Sequence, residues 1–427
     1  MKIVTKKSTY EKVMAMKRTK PRRPLRPLFL LQIVVRILSM FDLIPARFTY
    51  EKHGMEKIGK KEPCLILMNH SSFMDLEIAS HIFFPKRYGI VTTSDGFVGP
   101  LMRWLMPLLG CIPTRKFVSD MSLIKNMQYM LKEKKTSVLM FPEAGYSFDG
   151  TATVLPKKMG ILLKKLDVPV VMIETAGLFS RNPLYNELQI RKNAKISAKI
   201  RLLYTQEEIR QKSVAELSDG VENAFGFDHF KWQKEQGLVI DQPFRADGLE
   251  RILYKCPHCG AEGHMKGKGE HLTCHACGKV WYLRPDGQME ALEGETEISH
   301  IPDWYRWERQ QVCTEIENGT YLTDTDVDIA IQVDYKAVYK VGSGHLTHDR
   351  EGFHLTGCDG KLDFTLKPQS SYSLYADYYW YEIADCICIG DNEVHHFCFP
   401  KDETVSVAKL RLATEEMYKL SKARVKS

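Results

Sequence analysis

Residues 69–75 read Asn69-His70-Ser71-Ser72-Phe73-Met74-Asp75, a histidine and an aspartate five apart behind the apolar run Cys64-Leu65-Ile66-Leu67-Met68. A base and the group that orients it are what an enzyme needs to take a proton from an alcohol at neutral pH. The apolar run predicts a buried strand, and Ser72-Phe73-Met74-Asp75 ahead of Leu76, Ile78 and Ala79 predicts a capped helix start. Five positions along a straight helix rotate a side chain by roughly 140°, so His70 and Asp75 cannot meet inside one helix. They meet if His70 lies in the strand-to-helix turn and Asp75 in the first helical turn. Asp75 then accepts a hydrogen bond from one ring nitrogen and leaves the other free as a base. The plainer alternative, an aspartate that only caps the helix beside a loop histidine, stays open on these residues alone.

Three further blocks follow in order: Gly110-Cys111-Ile112-Pro113-Thr114-Arg115, then Phe141-Pro142-Glu143-Ala144-Gly145 after the apolar run Ser137–Met140, then Val168-Pro169-Val170-Val171. Together with the His70 block they resemble the glycerolipid acyltransferase family that includes the 1-acyl-glycerol-3-phosphate acyltransferases. Its pattern runs N-H-x-x-x-x-D, G-x-I-x-x-R, F-P-E-G and V-P-V, and the resemblance covers residues 45–225. It implies His70 as general base, Asp75 as its orienter, and an acyl acceptor held by Arg115, Glu143, Gly145 and Tyr146. It also implies acyl-CoA or acyl-carrier protein as co-substrate, whose thioester carbonyl is attacked by an acceptor hydroxyl that takes the place of a protease serine. The third block departs from the pattern. Many members continue Glu-Gly-Thr-Arg-Ser, whereas this chain has Glu143-Ala144-Gly145-Tyr146-Ser147, so a phosphate-gripping arginine is replaced by a hydroxyl without charge.

With 427 residues, 44% hydrophobic and 26% charged, the chain has ordinary globular composition and room for two or three domains. Its net charge of +7 is uneven: residues 1–27 hold ten Lys or Arg against Glu11 alone, a net of +9, so the remainder sums to −2. The basic arm runs through Lys17-Arg18-Thr19-Lys20-Pro21-Arg22-Arg23 into the apolar stretch Leu28–Phe41, which is too short to span a bilayer and carries Arg36 near its middle. Gln32, Arg36 and Ser39 form one polar seam on an otherwise greasy helix. Residues 1–45 are therefore expected to form a basic arm and an interfacial helix on membrane lipids, at the cytoplasmic face, peripheral or monotopic. A core helix with a basic tail is the alternative. A second apolar segment, Leu101 to Leu109 with Trp104, is read as ordinary helix core, with membrane contact or an acyl groove as alternatives.

Apolar runs alternate with helical patterns between residues 64 and 175, which predicts an α/β sheet. Strands are expected near Ile90, Ser137–Phe141 and Val168–Glu174, and helices near Leu76–Phe84, Met121–Leu131 and Met159–Leu166. A capping box, Thr205-Gln206-Glu207-Glu208, starts the helical region that closes the domain 46–237 near Gln236.

Within residues 250–292, Cys256-Pro257-His258-Cys259 and Cys274-His275-Ala276-Cys277 are two C-x-x-C knuckles, each followed by glycine. They resemble a zinc ribbon, whose four thiolates (Cys256, Cys259, Cys274, Cys277) fill a tetrahedral ion's coordination and so make a structural site. Free thiolates argue for a reducing compartment. Four lysines against two glutamates in residues 255–279, without interleaved aromatics, make a poor nucleic-acid surface, so no nucleic acid is expected.

Residues 300–427 open with a helix closing at Asn318-Gly319, continue as short alternating strands between glycine turns, and end in a helix from Val405. This β-rich pattern resembles the pleckstrin-homology or GRAM sandwich in topology. The cluster Tyr372, Tyr375, Tyr378, Tyr379, Trp380 and Tyr381 is read as sheet core. The expected architecture is multidomain: an α/β acyltransferase domain, a small four-cysteine zinc ribbon, and a C-terminal β-rich domain with a terminal helix that is open to a protein partner. The competing reading is a catalytically silent membrane adaptor acting through the ribbon and the β-rich domain.

Overall fold

The computed structural model describes residues 3–18, 23–118, 120–187, 189–192 and 194–424. The part of the basic arm at 19–22 lies outside the described residues. The arm's beginning is not free on a surface: strand β1 (Thr5–Lys7) pairs in parallel with a strand of the C-terminal domain, Thr5 opposite Val338. Helix α1 (Tyr10–Met14) follows and buries Val13 in the same core.

Helix α2 (Phe29–Leu43) has its expected polar seam, but the seam faces the protein. Ser39 is buried and donates to the Arg36 carbonyl at 2.7 Å, and the Arg36 guanidinium lies over the Phe84 ring at 4.5 Å. Leu30, Ile37, Leu38 and Phe41 point outward and are exposed. A soluble helix buries its apolar stripe, and this one shows it.

The first sheet has seven strands in the order β2-β8-β7-β3-β6-β4-β5. They are β2 (Thr49–His53), β3 (Leu65–Met68), β4 (Tyr88–Thr93), β5 (Cys111–Thr114), β6 (Ser137–Met140), β7 (Val170–Ala176) and β8 (Ser197–Tyr204). Strands β3, β4, β5, β6 and β7 are mutually parallel, and β8 runs antiparallel to β7. The fully buried β3 and β6 read as continuous apolar runs because helices cover both faces of a parallel sheet. Those helices are α3 (Asp75–Phe83), α4 (Met102–Leu108), α5 (Met121–Gln128), α6 (Met159–Leu166), α7 (Leu178–Arg181), α8 (Gln206–Gln211), α9 (Val214–Ala224) and α10 (His229–Glu235). The Thr205–Glu208 capping box starts α8, with both reciprocal bonds made. Helix α4 departs from expectation. None of its residues is buried, and Leu101 and Trp104 are 64% and 59% exposed, because Pro107 and the short length leave only one face to meet the sheet.

The cysteine knuckles sit on a small antiparallel sheet of β9 (Met265–Lys268), β10 (His271–Cys274), β11 (Val280–Leu283) and β12 (Met289–Ala291). The C-terminal domain begins with α11 (Ile301–Asn318), closed by Gly319 in the left-handed region (φ 74°). Its strands β13 (Thr323–Gln332), β14 (Val338–Asp349), β15 (Gly352–Gly357), β16 (Leu362–Leu366), β17 (Tyr375–Trp380), β18 (Ala384–Gly390) and β19 (His395–Pro400) pair in the order β16-β15-β14-β13-β19-β18-β17. Helix α12 (Val407–Arg424) packs against α11 and the β17 end.

These parts are not separate beads. One core runs from Phe148, Phe179 and Phe230 through Cys256 and Trp281 to Trp304, Tyr378 and Leu410. Trp281 and Trp304 meet edge-on at 5.1 Å, and the buried Glu308 accepts from the Lys255 backbone at 2.9 Å. The expected segments 46–237, 250–292 and 300–427 thus all contribute to one continuous interior. Asp95, just past β4, is a rivet in that interior: its Oδ2 accepts from Tyr375 Oη at 2.7 Å and Trp380 Nε1 at 3.2 Å. Asp95→Ala strands the buried Tyr375 hydroxyl donor, whereas Trp380 Nε1 keeps Tyr375 Oη at 3.0 Å, and is expected to destabilise the chain by about 1–3 kcal/mol. Urea unfolding followed by tryptophan fluorescence checks it, and an unchanged midpoint contradicts the rivet.

Candidate active site

The parallel strands deliver the sequence blocks to one edge. The loops after β3, β4, β5 and β6 carry His70, Asp95, Arg115 and the Phe141–Ser147 turn, all at carboxyl ends of neighbouring strands. Crevices in open α/β sheets lie at such ends.

His70 sits in the turn between β3 and α3, and Asp75 is the first residue of α3. The two side chains meet, His70 Nδ1 to Asp75 Oδ2 at 2.9 Å. The same oxygen accepts the backbone N–H groups of Ser71 at 2.8 Å and Ser72 at 3.1 Å. The expected cap takes a different form: the Ser72 hydroxyl accepts from Met74 N–H at 3.1 Å, and Asp75 points back into the turn. With Nδ1 engaged, Nε2 has no partner among the described residues, and the side chain keeps 16% exposure. The imidazole lies between Phe141 and Tyr146, with ring centroids at 4.1 and 3.9 Å. Burial pushes its pKa down, opposed by the Asp75 hydrogen bond and charge and helped by Lys116. Burial pushes the Asp75 carboxyl up, opposed by His70 and the two backbone donors. The ring is therefore neutral at pH 7.

Glu143 lies beneath this turn. Its Oε2 accepts from His70 N–H at 2.8 Å and its Oε1 from Thr153 N–H at 2.9 Å. Burial raises the carboxyl to about 7, against those two N–H groups. Its two oxygens clamp the loops through these backbone donors. Ala144 stands where the family pattern has glycine and adopts φ 54°, a left-handed conformation that costs an L-residue strain. Gly145 has open space around its Cα, nothing lying within 4 Å of a built Cβ. Tyr146 packs its ring on His70 and Phe73, and its carbonyl accepts from Arg411 of α12 at 3.4 Å.

Arg115 does not join the others. Its guanidinium donates to the carbonyls of Asp391 at 2.8 Å and Glu393 at 3.0 Å in the β18–β19 turn. Lys116 lies nearer the centre, its Nζ 3.9 Å from the Tyr375 ring centroid.

Several residues here were not singled out from sequence. His229 of α10 bonds Ser71 Oγ at 3.0 Å, and burial pushes its pKa down to about 3. The Asn69 side chain bridges to Thr175 of β7, its Oδ1 accepting from Thr175 N at 2.8 Å. Asp95 and Asp377 arrive from distant parts of the chain, as does Tyr375, which sequence marked only as sheet core; Asn69 opens the His70 motif without revealing its Thr175 partner. No local spacing marks His229, Asp95 or Asp377, since each is set by packing between elements far apart in sequence.

The acyltransferase family profile matches residues 49–174, which hold His70, Asp75, Arg115, Glu143 and Tyr146. These residues form an acyltransferase-family domain. The chain is 30% identical over 127 residues to a chloroplastic 1-acyl-sn-glycerol-3-phosphate acyltransferase of Brassica napus, covering 29% of this chain and 36% of that protein. It is 29% identical over 134 residues to the 1-acyl-sn-glycerol-3-phosphate acyltransferase of Saccharomyces cerevisiae, covering 30% of this chain and 44% of that one. The crystal structure of the 1-acyl-sn-glycerophosphate acyltransferase from Thermotoga maritima is 16% identical, with TM-score 0.36, over 46% of this chain and 76% of that chain. The match to these two curated relatives thus spans less than half their length.

The acyltransferase domain presents an unprotonated imidazole at neutral pH. Activity that needs this base falls as pH drops through a midpoint below 6.5, because the folded-state pKa is depressed. Asp75→Asn removes a charge that holds the ring's pKa up. It should shift that acid limb lower still while cutting kcat by about 10²–10⁴-fold. A kcat/KM profile from pH 4.5 to 8 reads both, and a limb moving upward contradicts the assigned pairing.

Proposed function

We propose that this chain transfers a fatty acyl group from acyl-CoA or acyl-carrier protein to the hydroxyl of a lysophospholipid or glycerol-phosphate-like acceptor. The observation that carries this reading is His70 Nδ1 held by Asp75 with Nε2 free, inside the matched domain. The acceptor hydroxyl gives its proton to Nε2 as its oxygen attacks the thioester carbonyl. The tetrahedral intermediate collapses, the carbon–sulfur bond breaks, and the departing thiolate takes the proton from His70. The ester is formed and the base returns to its starting state. Asp75 holds the tautomer and stabilises the transient imidazolium.

Lipid contact is supported by the outward apolar side of α2 together with Leu101, Trp104, Phe73 and Leu76. Among the described residues no helix is long and apolar enough to cross a membrane. The reading is therefore a peripheral or monotopic enzyme on the cytoplasmic face, dipping α2 and α4 into the interface. The strand order and closing helix of the C-terminal domain support its likeness to the pleckstrin-homology or GRAM type.

The four cysteine sulfurs fit a structural zinc ion. They lie within 4.8 Å of one another, with Cys256–Cys277 at 3.9 Å and Cys259–Cys274 at 3.8 Å. A tetrahedron with zinc–sulfur bonds of about 2.3 Å needs sulfurs about 3.8 Å apart. Gly260 and Gly278 take φ 77° and 79°, the left-handed turn each knuckle requires. A bound ion would tie the small sheet together and supply no reaction step. The low exposure of His70 and the engagement of Arg115 favour, as a second reading, a silent adaptor that keeps the scaffold.

His70→Ala is expected to abolish transfer of labelled acyl groups to membrane lipids by the purified full chain; retained transfer removes the mechanism. Metal analysis should find about one zinc per chain. Cys256→Ser should lower both that content and the thermal midpoint, whereas a stable, metal-free wild type contradicts the ribbon.

A further inference from the structure

The C-terminal domain comes close to Tyr146, whose ring packs on His70, and the Asp377 charge acts on Tyr146. Strand β17 lies over the loops after β4 and β5. Tyr375 bonds Asp95 and carries Lys116 on its ring, Trp380 also bonds Asp95, and Tyr378 stacks on Phe148 at 4.4 Å. Alternate strand residues share a face, so Asp377 projects on the same side as Tyr375, toward those loops. It is half-buried, the Tyr378 backbone N–H serves its carboxylate, and its further lone pairs can accept from a ligand. Burial raises it to about 7, with Lys116 attracting it and Asp95 repelling it.

The charge around this crevice is the reverse of a phosphate grip. The arginine that the family pattern offers in the third block is Tyr146 here, and Arg115 is spent on the carbonyls of Asp391 and Glu393. Lys116 lies near Asp95 and Asp377, and Arg411 is engaged by Glu415 at 3.3 Å and the Tyr146 carbonyl at 3.4 Å. A terminal phosphate brought beside Tyr146 would meet the carboxyls of Asp95 and Asp377, and like charges in a partly desolvated space repel. Hydroxyl or ammonium donors would instead find an acceptor in Asp377.

We propose that Asp377, supplied by the C-terminal domain, is an acceptor-binding residue, and that the site selects head groups offering hydrogen-bond donors over a terminal phosphate. This rests on the acyl-transfer reading above. The purified full chain is assayed with labelled acyl-CoA and three single-chain acceptors of equal chain length: lysophosphatidate, lysophosphatidylglycerol and lysophosphatidylethanolamine. The wild type is expected to favour a donor-bearing acceptor over lysophosphatidate by roughly tenfold in kcat/KM. The glycerol arm winning identifies hydroxyl recognition, and the ethanolamine arm identifies ammonium recognition. Asp377→Asn should lower use of that acceptor relative to lysophosphatidate by roughly tenfold. Asp377→Glu, which keeps the charge, should restore the order. A wild type that prefers lysophosphatidate overturns the proposal even if the Asn variant does not fold, and so does a folded Asn variant with unaltered ranking. Transfer to none of the three acceptors, from acyl-CoA or from acyl-carrier protein, overturns this proposal, and the acyl-transfer reading falls with it only if transfer to membrane lipids fails as well.

Discussion

One carboxylate oxygen organises the site. Asp75 Oδ2 gathers the His70 ring N–H and the backbone N–H groups of Ser71 and Ser72. It thereby fixes the turn, the start of α3 and the tautomer of the imidazole together. A buried carboxylate accepting three donors resists rotation, because any movement leaves buried N–H groups unpaired. Glu143 closes the same turn from the opposite side through the His70 backbone N–H, and Ser147 N–H closes it again on the His70 carbonyl at 3.0 Å. The free Nε2 is therefore positioned by the loop's own hydrogen bonds, before any ligand arrives.

The alternation of strands and helices and the motif spacings were legible because they are local. The run Cys64–Met68 gives β3, Thr205–Glu208 gives the α8 start, and Cys256–Cys277 gives the paired knuckles. What sequence did not yield is non-local. The pairing of β1 with β14, the inward turn of the α2 seam, and the seat of β17 on Asp95 all depend on contacts between residues far apart along the chain. Arg115 shows how this matters at the site. Its place in the second block points to an acceptor contact, yet carbonyls at Asp391 and Glu393 hold it. Of the tyrosine-rich run read as sheet core, Tyr375, Tyr378 and Trp380 are buried while Tyr372, Tyr379 and Tyr381 are partly exposed, and Tyr375 and Trp380 also cross to the acyltransferase domain.

The C-terminal half is thus built into the chemistry's surroundings. Its strand β17 seats on Asp95, its Arg411 holds the Tyr146 carbonyl, and its β18–β19 turn occupies Arg115. The continuous core through the cysteine knuckles transmits that arrangement. Loss of order in the small sheet would disturb the seat of α11, since Trp281 packs on Trp304. Apolar side chains on α2 and α4 remain outside this network, on the surface where a lipid interface can cover them.

Nitrogen-15 spectra of the histidine rings in the purified full chain test the central claim most directly, with His70 assigned by its loss in His70→Gln. At pH 7 the account predicts a neutral ring with the proton on Nδ1 and a bare Nε2. A ring protonated on Nε2, or on both nitrogens, would contradict a base held by Asp75.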